Sequence, residues 1–153
     1  LRMIIVGAVH ISQALVGIAK SAGFEVSVID PRGSFATKTR FPDVTLIDEW
    51  PDDAVKTLKP DNRTALVTLT HDPKLDDPAL EAALVSDCFY IGSLGSKKTH
   101  SARVERLLSN GFTDKQINRI HAPIGLDIGA KSPSEIAVSI LAEVISAKYN
   151  KVL

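Results

Sequence analysis

Four short stretches of this sequence carry residue types suited to gripping a small, negatively charged ligand. Gly92-Ser93-Leu94-Gly95-Ser96-Lys97-Lys98-Thr99-His100 combines glycines, which expose backbone N–H groups, with hydroxyls and two lysines. It follows an apolar run and opens an amphipathic one, which places it at a helix N-terminus. Lysines in a first helical turn oppose the helix dipole, and a bound phosphate or carboxylate relieves that conflict. Arg103 and Arg106 follow one and two turns on. The plainer alternative is a capped helix with a solvated basic first turn. The candidate contacts are Gly92, Leu94, Gly95, Ser96, Lys97 and Lys98.

A second stretch, Gly7-Ala8-Val9-His10-Ile11-Ser12, holds the position of a G-x-G-x-x-G dinucleotide turn, and Asp30 ends the next apolar run 23 residues after Gly7. A carboxylate there can accept hydrogen bonds from a ribose diol. The spacing is right and the glycines are not. Val9 stands where a glycine lets backbone approach a pyrophosphate, and Ser12 stands at the third glycine. Two readings stay open: a dinucleotide site, or a plain tight turn below a helix whose N-terminus still attracts anions. Gly7, Val9, His10, Asp30 and Arg32 are its candidate contacts, and Arg32 leaves NAD against NADP undecided.

The other two stretches are Ala122-Pro123-Ile124-Gly125-Leu126-Asp127-Ile128-Gly129-Ala130, and Leu69-Thr70-His71-Asp72. Paired glycines among apolar residues suggest a loop buried against a ligand or the edge of a sheet, with Gly125 and Asp127 as candidates. Asp127 is either a ligand contact or a carboxylate capping backbone. His71 is the candidate in the fourth stretch.

Reactive groups are scarce. The four histidines, at 10, 71, 100 and 121, show no H-x-x-x-H spacing, and one cysteine cannot form C-x-x-C. No metal site is therefore expected. No Ser-His-Asp arrangement is readable. Tyr90 and Tyr149 are the only tyrosines and neither starts a Tyr-x-x-x-Lys pair, the relay of short-chain dehydrogenases. Cys88 sits in the apolar run Cys88-Phe89-Tyr90-Ile91, which suits a buried structural thiol better than a nucleophile. The residues describe a binding site without an evident acid, base or nucleophile.

The elements that must position these loops alternate along the chain. Apolar runs at 3–6, 26–29, 44–47, 65–69 and 89–91 read as strands buried on both faces. Helical patterns fill 11–22 and 52–58. A further helix runs from an Asp77 cap and Pro78 at its first position through Leu84, and another spans 96–109. Thr113 and Gln116 form a capping box for a short helix. Ser132, Pro133 and Glu135 open a final helix whose stripe is Ile136, Ala137, Ile140, Leu141, Val144 and Ile145. Such alternation specifies a three-layer, doubly wound α/β domain of Rossmann type, with expected strand order 3-2-1-4-5 and room for an extra strand at 122–126. In that fold the loops gather along one edge of the sheet, at the switch point.

The bulk numbers agree. A chain of 153 residues fits one domain spanning 1–153. Eighteen basic residues balance eighteen acidic ones, which gives no ground for a nucleic-acid or membrane-surface partner. No run reaches the ~18 apolar residues of a membrane span. A lone cysteine suits a reducing cytoplasm. The first residue is Leu1, directly before a core strand, so the domain is expected to belong to a longer chain.

Beyond these general features, the sequence resembles the C-terminal Rossmann domain of the XdhC/CoxI family, the xanthine dehydrogenase accessory factors. The carriers are Gly7-Ala8-Val9-His10, Asp30-Pro31-Arg32, Phe35-Ala36, Arg40-Phe41-Pro42 and Leu69-Thr70-His71-Asp72. More specific are Tyr90-Ile91-Gly92-Ser93-Leu94-Gly95-Ser96-Lys97-Lys98-Thr99, Pro123-Ile124-Gly125-Leu126-Asp127-Ile128-Gly129-Ala130 and Pro133-Ser134-Glu135-Ile136-Ala137. The resemblance implies binding of the molybdenum cofactor (molybdopterin), its protection during sulfuration, and delivery to apo molybdenum hydroxylases. A cysteine desulfurase is an implied partner, and a homodimer is among the expected assemblies. It also implies that the pterin's terminal phosphate sits on the 92–99 loop. Two other functions remain open on the residues: an NAD(P)-dependent oxidoreductase and a nucleotide-sensing regulatory module.

Overall fold

The computed structural model describes residues 1–151. The chain runs β1 (Arg2–Val6), α1 (His10–Ser21), β2 (Glu25–Ile29), β3 (Thr45–Ile47), α2 (Pro51–Leu58), β4 (Thr64–Thr68), α3 (Pro73–Leu84), β5 (Tyr90–Ser93), α4 (Lys97–Ser109), α5 (Asp114–Ile117), β6 (Ile120–His121) and α6 (Pro133–Lys148). All six strands are parallel and lie in the order β3-β2-β1-β4-β5-β6.

The strands are apolar on both faces because both faces are covered. Met3 and Ile5 of β1, Val26 and Val28 of β2, and Ala65 and Val67 of β4 pack into one core with α1 and α6. Ile4, Val6, Ile29 and Leu66 point the other way, into a second core with α2, α3 and Leu107 of α4. Period-two alternation of side chains thus splits one sheet into two cores. The six residues of the α6 stripe divide by depth. Ala137, Ile140, Leu141 and Val144 are buried, while Ile136 is half-buried and Ile145 exposed.

The strand order matches the expectation with one strand added at the β5 edge. That strand is Ile120–His121, just before the 122–126 stretch, which is loop. A second difference concerns α3, which starts at Pro73 and not at Pro78. Asp72 is its N-cap, accepting from the Lys74 amide at 2.9 Å. The chain holds two Asp-Pro pairs in series, and the earlier one wins because the longer helix buries the apolar Leu75. Pro78 is carried inside the helix, and Asp77 turns outward to pair with Arg106 at 2.6 Å. Cys88 is a buried free thiol, and burial pushes it above its ordinary pKa. Among the described residues no helix is long and apolar enough to cross a membrane.

Candidate functional site

The loop between β5 and α4 is tied down at both ends. Ser93 and Thr68 share a buried hydroxyl–hydroxyl bond of 2.7 Å, and the Leu94 amide donates to the Thr68 carbonyl. Gly95 has φ +138, a conformation side chains rarely adopt. Ser96 is the N-cap of α4, and its hydroxyl accepts from the Thr99 amide at 3.1 Å. That hydroxyl therefore serves the helix. The amides of Lys97 and Lys98, first in the helix, have no acceptor within it.

Arg103 lies beneath this loop, only 2% exposed. Its Nη2 donates to the Leu94 carbonyl at 3.3 Å, its Nη1 lies 3.2 Å from His100 Nδ1, and its Nε, without a hydrogen-bond partner among the described residues, lies 3.9 Å from Asp77 Oδ1. Burial holds both Arg103 and His100 below their ordinary pKa values. A guanidinium nonetheless keeps its charge, so a positive group stands directly under the loop.

The 123–130 loop faces α4 across a cavity of about 440 Å3, lined by Leu94, Lys97, Gly125, Asp127, Ile136 and Ser139 among others. That volume lies within the range of small-molecule sites, roughly 300–1,000 Å3. The loop is stitched to its neighbours. The Ile124 amide donates to the Ser93 carbonyl, the Leu126 amide to the Ser139 carbonyl, and the Gly125 amide to Glu143 Oε1 at 3.1 Å. Gly125 has φ +93 and packs so closely on Ser139 that a side chain would not fit. The Asp127 carboxylate makes no hydrogen bond with described residues, so it caps no backbone and stands free at the cavity.

The turn between β1 and α1 is differently built. Gly7 has φ +112, and a Cβ there would lie 2.7 Å from Thr70 Cγ2. Asp30 is fully buried. Its Oδ2 accepts from the Ala8 amide and Arg32 Nη2, each at 2.8 Å, and its Oδ1 from Arg32 N and Nε, each at 2.9 Å. Burial raises the Asp30 carboxyl, but the bonds from Arg32 and Ala8 outweigh it and hold the group below its ordinary value. Ser12 donates to the Gly7 carbonyl and accepts from the Val9 amide. Arg40, 32 residues away, donates to the Ala8 carbonyl at 2.9 Å. Val9 packs on the α1-side core and His10 is exposed. The expectation that Asp30 accepts from a ribose is therefore corrected: four donors of its own chain occupy it, and two of the turn's amides are used as well. Arg32 is spent on Asp30 and stacks over the Phe35 ring at 4.3 Å.

The structure thus brings Leu94, Lys97, Gly125 and Asp127 to one cavity, while Gly95 and Ser96, between Leu94 and Lys97 in the chain, are not part of its lining. Gly92 is buried in β5, Lys98 is exposed outside the cavity lining, and Gly7, Val9, His10, Asp30, Arg32 and His71 lie elsewhere on the edge. His71 has φ +64 and uses its amide to donate to Asp76 Oδ2. Among the described residues no group of three or more His, Cys, Asp or Glu side chains is placed to hold a metal ion.

Asp76 was not legible as a special residue. It is buried at the start of α3, where Oδ1 accepts from the Thr70 hydroxyl at 2.6 Å. Burial, opposed by those Thr70 bonds, pushes its carboxyl up to about 6. A carboxyl raised in the folded state contributes stability that is full below the unfolded value near 4 and lost as pH rises through about 6. Two pKa units correspond to about 3 kcal/mol. Asp76→Asn cannot ionise, so the stability of the natural chain relative to this variant should fall by about 2 kcal/mol between pH 4 and pH 7 in urea melts. A constant difference across that window would contradict the assignment.

Glu143 is a second such residue: Ile136, Ser139 and Glu143 sit three and four apart and so share one helical face. Its Oε1 accepts from the Tyr90 hydroxyl at 2.6 Å.

Comparison with known proteins places this geometry. The chain is 33% identical to YqeB of Escherichia coli over 153 residues, 28% of that protein's length. It is 29% identical to a protein named molybdenum cofactor insertion chaperone PaoD, also of Escherichia coli, over 150 residues and 41% of its length. A Bacillus subtilis protein named as a probable subunit of xanthine dehydrogenase is 33% identical over 148 residues, 43% of its length. These stretches cover 97%, 98% and 96% of the present chain, which therefore spans less than half of each relative. A crystal structure described as a xanthine dehydrogenase from Bacillus halodurans superposes with TM-score 0.83 at 33% identity, over 99% of this chain and 43% of that one. The Lmo0794 protein of Listeria monocytogenes shares the fold, with TM-score 0.61 at 16% identity over 95% of this chain and 92% of its own. Residues 3–144 match the family model described as the XdhC Rossmann domain, and the chain belongs to that family.

Proposed function

We propose that this domain binds the molybdenum cofactor and acts as a maturation chaperone for xanthine dehydrogenase-type molybdenum hydroxylases. The observation that carries the reading is the cavity of about 440 Å3 in which Lys97 and the start of α4 face the 123–130 loop. An anion fits there for three reasons. The first α4 amides lack acceptors, Lys97 lines the space, and the buried Arg103 adds positive charge from below. At α1 the two amides just before the first helical residue, those of Ala8 and Val9, are already taken by Asp30 and Ser12. The free Asp127 carboxylate repels a phosphate, so the phosphate belongs at the Lys97 end and a donor group of the ligand near Asp127.

A chaperone must hold its cargo and release it unchanged. No histidine, cysteine or tyrosine lines the cavity, and the Ser139 hydroxyl is committed to the Ile136 carbonyl. When bound, the cofactor would supply the redox chemistry of the recipient enzyme; this domain's groups bind and orient it. A name given to a relative, molybdenum cofactor insertion chaperone, supports the same reading. On this reading the partners are an apo molybdenum hydroxylase, a cysteine desulfurase and a second copy of the chain.

Calorimetric titration with molybdopterin, NADH, NADPH and ATP tests the proposal. Molybdopterin should bind saturably and Lys97→Glu should weaken it at least about tenfold, or about 1.4 kcal/mol. Equal binding by the variant, or saturable NAD(P)H binding with none of molybdopterin, would overturn it.

A further inference from the structure

A second cavity, of about 580 Å3, lies behind the 125–128 loop and is lined by His121, Leu126, Ile128, Glu143, Ser146 and Ala147 among others. The polar groups at its edge form one locked arrangement. Glu143 Oε1 accepts from the Tyr90 hydroxyl at 2.6 Å and the Gly125 amide at 3.1 Å, and His121 Nδ1 lies 3.6 Å away. Burial pushes the Tyr90 phenol far above its ordinary pKa, so it remains a donor to Glu143. Two donors, one from β5 and one from the loop, thus hold one carboxylate oxygen. The other, Oε2, has no protein partner among the described residues, although the side chain is only 17% exposed. The Tyr90 and His121 rings stack at 4.6 Å between centroids with 17° between planes. His121 keeps 42% of its side chain exposed.

We propose that this cavity takes a flat heterocycle carrying a 2-amino-4-oxopyrimidine edge, with Glu143 as its acceptor and His121 as its stacking surface. The chemistry follows from the parts. With Oε1 already engaged, the lone pairs of Oε2 can accept two adjacent N–H donors, and a 2-amino-4-oxopyrimidine presents an N–H beside an NH2. A partly exposed imidazole already stacked on one tyrosine offers a planar surface, and Leu126, Ile128 and Ala147 supply apolar walls. Adenine fails the requirement, because its amino group neighbours a ring nitrogen that accepts. Pterins and guanine share the required edge. The inference does not depend on an anion site at Lys97.

Binding of unsubstituted pterin, guanosine monophosphate and adenosine monophosphate separates the outcomes, with pterin followed by its own fluorescence. Pterin, guanosine monophosphate or both should bind, and whichever does names the source of the edge. Adenosine monophosphate should bind at least about tenfold more weakly. Glu143→Gln keeps a carbonyl for Tyr90 and Gly125 but turns a donor toward the ligand, and should weaken binding at least about tenfold. His121→Ala should weaken it as well. Unsubstituted pterin carries no phosphate, so its binding is read independently of the anion site. The proposal is overturned if neither pterin nor guanosine monophosphate binds, if adenosine monophosphate binds equally, or if Glu143→Gln, shown folded by circular dichroism, binds as the natural chain does.

Discussion

Asp30→Ala is expected to destabilise the domain by about 2–3 kcal/mol, against a net stability of only about 5–15 kcal/mol for a typical domain. The Ala8 amide, which donates to Asp30 Oδ2 at 2.8 Å, would be left without an acceptor inside the fold, at about 1–3 kcal/mol. The three bonds from Arg32 add less, because one third of that side chain is in water and the pair is screened. Urea melts measure the loss directly. Asp30→Asn keeps one carbonyl for Ala8 and should recover part of it. The experiment also discriminates between roles. A ribose-binding aspartate would lose nucleotide affinity on substitution and leave stability nearly unchanged, whereas a carboxylate that builds the turn shows the reverse.

Gly92→Val is expected to cost about 3 kcal/mol or more and to damage both cavities. Gly92 lies within β5, paired with Val67 and His121, and its backbone is ordinary extended chain. The penalty is therefore one of space. A Cβ there would lie 2.7 Å from Ile124 Cδ1 and from the Tyr90 hydroxyl oxygen, and 2.8 Å from Ile124 Cγ1. Ile124 is 8% exposed and fixes the start of the 123–130 loop, and the Tyr90 hydroxyl is tied to Glu143. Overpacking of a closed core costs about 1–3 kcal/mol for added methylenes, and valine adds three carbons. Gly92→Ala should cost less, and adding Ile124→Ala should relieve part of that cost by opening the space the new methyl needs. A valine variant as stable as the natural chain would show that the loop does not pack on β5 in this way.

The parts of the fold that were legible in the sequence are those set by neighbours in the chain. The Ser132-Pro133-Glu135 cap of α6 and the Thr113–Gln116 box of α5 are local chemistry, and both appear as read. The runs at β1 and β4 are apolar throughout because a parallel sheet covered on both faces demands it. Local rules failed where two equivalent signals competed, as at the successive Asp-Pro pairs of α3. The two-residue strand β6 is too short to carry a pattern.

The candidate site was legible only in part, for a related reason. In the sequence the Gly7 turn and the Gly95 loop are both glycine-bearing helix starts. What distinguishes them is distant in the chain: Asp30 and Arg40 close the first, whereas Lys97 and the 123–130 loop leave a cavity at the second. The Glu143 carboxylate was hidden beside an apolar helical stripe, and only the fold reveals that Tyr90, His121 and Gly125 converge on it.

The most direct test of an anion held at the start of α4 is an amide chemical-shift map of the domain during titration with molybdopterin. An anion at that position predicts the largest shifts at Lys97 and Lys98 and along residues 124–129, with Ala8, Val9 and Asp30 nearly silent because their groups are already engaged. Large shifts confined to residues 7–12 and 30–32, with residues 94–99 unmoved, would contradict it and return the ligand to the β1–α1 turn.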